Sequence, residues 1–303
     1  MKTLFVTLIF LLMSGQASAQ QTHFSLDKGD EEWAFEVAWK SAKGGTQSVE
    51  FTLAAERIEK DLAVPLQFQM EAANQTIAKA INSYGKETPG VQINAVQEGK
   101  GVQISGRGKS RKKLKKAMKG VKRVQRKALR GYMKQHGFTK LKGKVIPNHA
   151  QHAYRYADDL QPLAVALGSE ELRRRVFAKR ALAMVQNIPY EKGRDGRDKG
   201  FRLPMSLLAK NRGDCDSKAT LYLALLKAAH PTLDTSFIYI KGHAFVGLGL
   251  KPKSGDVTFE ADGRTWVIAE PVGPALSPIG QAGRKSERKA KRGKIDIRRV
   301  KDD

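Results

Sequence analysis

A single cysteine, Cys215, in a chain of 303 residues rules out any intrachain disulfide, so whatever this sequence folds into must be held by apolar burial. That constraint bites because the first residues look like an export signal. MKTLFVTLIFLLMSGQASAQ has Lys2, an apolar run from Leu4 to Met13, and an Ala17-Ser18-Ala19 site. The run is shorter than the ~18 apolar residues of a membrane helix, and no later stretch reaches that length. The expectation is a signal peptide over residues 1–19, cut before Gln20, and a periplasmic or secreted product. An uncleaved signal anchor is the alternative. Roughly 280 residues then remain, enough for one large core or two smaller ones.

Charge is distributed unevenly. The formal net charge is +25, and no acidic residue occurs between Gly99 and Ala157, whereas residues 109–134 hold thirteen Lys or Arg. Such a field attracts polyanions. Outside the cytoplasm these are anionic envelope polymers or a membrane surface, and nucleic acid is the less favoured partner by compartment.

Along the chain, residues 33–58 alternate apolar and polar on both sides of Lys43-Gly44-Gly45, as a β-hairpin does. Met70, Ala73, Ile77 and Ile81 mark a helix over 68–83, and VQINAVQEGKGVQISGRG reads as a second hairpin. The basic segment has helical spacing from Leu114 to Tyr132, weakened by Gly120 and Gly131. A basic N-terminal α+β module over 20–146 is expected. A second unit over 147–282 should carry helices at 154–167, kinked or restarted at Pro162, and at 170–187. A Gly-, Arg- and Asp-rich loop at 192–200, a helix over 215–229 and the strand runs SFIYI, HAFVGLGL, DVTFEA and TWVIAE follow. Residues 283–303, with ten Lys or Arg, read as a mobile or only partly ordered tail.

Around the cysteine, NRGD supplies a polar turn and Asp214 an N-cap, which places Cys215 in the first turn of a helix. There the positive dipole end favours the nucleophilic thiolate. Asp214 and Asp216 read as cap and dipole partners. Efficient chemistry also needs a base and an orienting acid. His243, heading HAFVGLGL, and Glu270, ending TWVIAE, can supply them from neighbouring antiparallel strands, making a Cys-His-Glu triad.

The ordered segments GDCDSKATLYLALL, GHAFVGL and TWVIAEP resemble the transglutaminase-like superfamily, in particular bacterial transglutaminase-like cysteine peptidases, over roughly residues 150–275. The resemblance implies a papain-like core, with Cys215 as nucleophile, His243 as base and Glu270 as orienter. Glu stands where that family commonly has Asp, and Asp262 is the reserve candidate. It also implies acyl transfer through a thioester on a protein or peptide substrate: hydrolysis if water accepts the acyl group, crosslinking if an amine does. Oxyanion donors would be the Cys215 N–H and a side chain such as Gln186 or Asn187. No metal or organic cofactor is implied. His149 and His152 could share a metal, but they lack a third ligand and read as surface residues. The rival to an enzyme is a catalytically silent envelope-binding protein on the same fold.

Overall fold

The computed structural model describes residues 21–41, 44–63, 66–191 and 200–301. The expected signal segment, Lys43 of the first turn and residues 192–199 of the glycine-rich loop lie outside the described residues. The chain is α+β, and among the described residues every sheet is antiparallel.

Period-two patterning builds the first sheet. β1 (Gln21–Lys28), β2 (Glu32–Lys40) and β3 (Thr46–Ala54) pair in that order, and Trp33, Phe35, Val37 and Trp39 of β2 are buried while the residues between them turn outward. Phe35 sits opposite Phe51 of β3, with stacked rings 4.9 Å apart. The hairpin expected over 33–58 is thus β2 and β3. It is shorter than expected at its end, because α1 (Ala55–Ala63) begins directly after β3. β1 is a third strand that pattern reading missed: Phe24 and Leu26 are its only large apolar residues, and they are only partly buried.

Next come α2 (Met70–Lys86), the hairpin β4 (Val91–Glu98) and β5 (Gly101–Gly108), and α3 (Arg111–Gln135). Ile77 and Ile81 of α2, Ala95 of β4 and Val121 of α3 form a small core of their own. Gly120 is no defect in the basic helix. Tyr84 of α2 lies so close that a Cβ at position 120 would overlap its hydroxyl.

A short hairpin, β6 (Phe138–Leu141) and β7 (Lys144–Pro147), leads into α4 (His149–Arg155), α5 (Gln161–Ala166), α6 (Arg174–Asn187) and α7 (Pro204–Lys210). The helix expected over 154–167 does restart at Pro162, which lies in the first turn of α5, but the helix before it is α4, which ends at Arg155 instead of beginning at Tyr154. α6 starts four residues later than expected, after a turn at Gly168 with φ +86. α8 (Cys215–Ala229) then passes through the middle of the molecule, buried on nearly every side. It lies against a five-stranded sheet ordered β10-β11-β9-β8-β12: β8 (Thr235–Ile240), β9 (His243–Leu248), β10 (Thr258–Ala261) and β11 (Arg264–Ala269), then, after α9 (Arg284–Lys291), β12 (Asp296–Arg299).

Residues 283–303 are therefore not a loose tail through residue 301. β12 pairs with β8, placing Ile297 opposite Ile238, and Ala290 of α9 packs with Phe245 and Trp266 on the sheet face away from α8. The basic residues of this segment hid the signal: only a few small or apolar side chains point inward, and the sheet edge supplies the remaining order. Likewise the cores do not divide at residue 146. Trp33 to Leu53 of the first sheet share one continuous core with Leu163, Phe177 and Leu223. Each fully buried aromatic or aliphatic side chain there contributes on the order of 1.5–3 kcal/mol.

This shared core makes a definite prediction. A fragment of residues 147–303, deprived of that sheet, will show no cooperative thermal transition by circular dichroism; a native-like melt would mean that the first sheet is dispensable.

Candidate active site

Three local features fix the start of α8. Gly213 carries no side chain because a Cβ there would stand 2.7 Å from Leu207 Cδ1. Asp214 caps the helix, accepting from the Ser217 amide at 2.9 Å and the Ser217 hydroxyl at 2.6 Å. The Arg202 guanidinium makes a bidentate pair with Glu191 at 2.6 and 2.8 Å, while its own backbone amide donates to Ser217 Oγ at 2.8 Å. Cys215 is then the first helical residue, and it is buried.

The sheet brings the other two residues. β8 and β9 close around Lys241 and Gly242, the latter at φ +71, so that His243 opens β9 opposite Ile240. Ala269 at the end of β11 pairs with Val246 of β9, which sets Glu270 beside His243. His243 Nε2 and Glu270 Oε2 are 2.9 Å apart. The Cys215 sulfur faces the backbone N–H of Ala244, the residue next to His243. The carboxylate occupies Nε2, which leaves Nδ1 as the second ring nitrogen of His243.

Electrostatics at the sulfur run against the expectation from its helix position. Burial pushes the Cys215 thiol up, and the Asp216 and Asp214 carboxylates push it further; the Ala244 amide opposes them. Burial first, and then the first-turn acid and the cap of α8, set the direction at this atom. For His243, burial works against the charged form, but the hydrogen bond and charge of Glu270 win and its pKa is raised above 6.5. Burial and the carboxylates thus favour the neutral form of the Cys215 thiol, while Glu270 makes the His243 imidazole more basic.

Four further residues shape the site. Ser286 of α9 donates to Glu270 Oε2 at 3.3 Å, so the C-terminal segment helps hold the acid. Lys218, one turn beyond Cys215 and fully buried, donates to the carbonyls of Gln186 and Ile188 at 3.1 and 2.7 Å; burial lowers its pKa to about 7, against the pull of Glu270. Asp216 accepts from the thiol at 3.5 Å through Oδ1, and its Oδ2 lies 3.7 Å from His149 Nε2. His149 in turn meets the Tyr239 hydroxyl through Nδ1 at 2.7 Å and stacks on Phe237. Sequence reading gave Lys218 and His149 no place in the site, because their roles depend on contacts 30 to 90 residues away.

Other expectations need correction. His149 and His152 are buried, not on the surface; His152 Nε2 meets the Gly137 carbonyl at 2.9 Å. No group of three metal-ligating side chains occurs among the described residues. Asp262 sits exposed in the β10–β11 turn at φ +50, and it is Glu270 that meets His243. Gln186 Nε2 donates to the carbonyls of Glu270 and Ser277, both at 2.8 Å, and Asn187 Nδ2 to that of Ala183 at 2.8 Å. Gln186 thus braces the backbone around the acid, while Asn187 bonds back onto its own helix. Among the described residues, no helix is long and apolar enough to cross a membrane. Comparison with protein-family models, curated proteins and solved structures finds no match to this chain.

The buried histidines give a pH signature. Burial lowers His149 to about 3 and His152 to about 4, so below 6.5 the unfolded chain binds protons that the native state refuses, and stability falls as the pH drops. At pH 5 each histidine should cost about 2 kcal/mol relative to neutral pH. The His243–Glu270 pair has the opposite sign: its contribution is complete below 6.5 and fades as pH rises through the raised value. Urea unfolding should show a lower midpoint at pH 5 than at pH 7, with the difference reduced in His152→Gln; equal reductions in wild type and variant would refute the assignment.

Proposed function

We propose that the protein is an exported cysteine peptidase or amidase of the transglutaminase-like kind, with a papain-like core and Cys215, His243 and Glu270 as its catalytic residues. The observation that carries this reading is the 2.9 Å His243–Glu270 contact next to the strand amide that the Cys215 sulfur faces. A nucleophile on a helix start, a base on a strand and an acid just past the end of the neighbouring strand are the parts that acyl transfer requires.

In this reading the thiol gives its proton to His243 as its sulfur attacks the amide carbon of a protein or peptide substrate. The imidazolium, held by Glu270, returns that proton to the leaving amine, and a thioester remains. Water then attacks the thioester while His243 takes its proton, and the carboxylic acid leaves as the thiol is regenerated. The Cys215 N–H, a first-turn amide without an intrahelical acceptor, is the candidate donor to the oxyanion. Because the resting thiol is neutral, His243 must itself be neutral to accept its proton. Activity should therefore rise with pH through the raised His243 value.

The silent-scaffold reading is favoured by one observation, the raised thiol. Reactivity separates the two. For an enzyme, iodoacetamide alkylates Cys215 along a pH profile set by His243, and His243→Ala slows labelling by at least about 100-fold at neutral pH. A scaffold shows an ordinary thiol profile that His243→Ala leaves unchanged. Incorporation of a primary amine into acceptor protein would mark crosslinking instead of hydrolysis.

Asp216 gives a second, directional test. Its carboxylate raises both Cys215 and His243, so Asp216→Asn should move the whole labelling profile to lower pH. A profile that stays in place would remove Asp216 from the site.

A further inference from the structure

The twelve lysines and arginines of α3 are all exposed, while Ala117, Val121, Tyr132 and Met133 on its other side are buried. At 25 residues the helix is about 37 Å long, and its cations cover about half of its circumference. No lysine or arginine between 111 and 130 forms an ion pair among the described residues.

A lysine face that serves only solubility normally interleaves carboxylates at i+4, because each such pair supports the helix. Here the i+4 neighbours are like charges: Lys112 with Lys116, Lys119 with Arg123, Arg126 with Arg130. The first turn adds Arg111, Lys112 and Lys113 at the positive end of the dipole, with no acid to offset them. The helix repels itself and is held by its packed face, and an external polyanion would relieve that repulsion.

We propose that α3 docks the protein on an anionic phospholipid surface by charge alone. The packed side of α3 is occupied by α2 and the β4–β5 hairpin, and its exposed side has no aromatic or aliphatic residue to insert. A wide arc of long, flexible side chains suits a plane of headgroups, since lysines at the edges of the arc bend to reach the same surface. The export signal read from residues 1–19 puts the chain where such headgroups, rather than nucleic acid, form the polyanion. This inference is independent of the acyl-transfer chemistry.

The test is co-sedimentation of the full chain with vesicles of phosphatidylglycerol mixed with phosphatidylcholine, compared with phosphatidylcholine alone. Binding should require phosphatidylglycerol and disappear on raising salt to about 0.5 M. Charge reversal of Lys112, Lys116, Arg123 and Lys127 to Glu should weaken it at least about 100-fold. Reversal of the exposed Lys40, Lys60, Lys86 and Lys251 to Glu makes the same change in net charge and should weaken it far less. Circular dichroism confirms that both variants are folded. Three results would overturn the proposal: binding without preference for phosphatidylglycerol, equal losses in the two variants, or complete displacement from the vesicles by duplex DNA at equal phosphate concentration.

Discussion

The burial of α8 is the constraint on which the rest of the molecule depends. From Ala219 to Leu226 this helix has essentially no exposed side chain, so it needs covering on all sides. The five-stranded sheet covers one side and α4 to α7 the others, and the β1–β3 sheet closes the same core from outside. Only the two ends of α8 approach the surface, at Asp216 in the first turn and at Lys227 to Ala229 in the last, and Cys215 stands at the first of them. The arrangement also answers how an expected exported chain does without disulfides: its core is large enough to need none.

The same burial sets the chemistry of the sulfur. In water, the start of a helix would favour a thiolate, but here low solvation and two flanking carboxylates favour the neutral thiol. Asp214 and Asp216 are needed to cap and orient the helix, and their charge is felt by the atom between them. Glu270 offsets this at a distance by making His243 a stronger base.

Much of this was legible in the sequence. The alternation in β2 and β3, the Asp214 cap and the strand placement of His243 are local signals, and each is present in the structure; Glu270 lies just past the end of β11. What escaped are features that depend on distant partners. β1 is an edge strand of weak pattern, ordered by pairing with β2. The C-terminal segment looks unstructured by composition, yet Ser286 reaches Glu270 and β12 completes the sheet. Lys218 looks like a surface lysine until its ammonium is seen ending α6 through the Gln186 and Ile188 carbonyls. The thiol's direction of shift was also misjudged, since helix position is visible in a sequence and desolvation is not.

The communication between imidazole and sulfur is tested most directly by the NMR titration of His243, before and after Cys215 is blocked by methylthiolation. Being the only cysteine, it can be blocked alone. The account expects a His243 midpoint above 6.5 and ring signals that move when the sulfur is capped. A midpoint at or below 6.5, with ring signals indifferent to the cap, would contradict it.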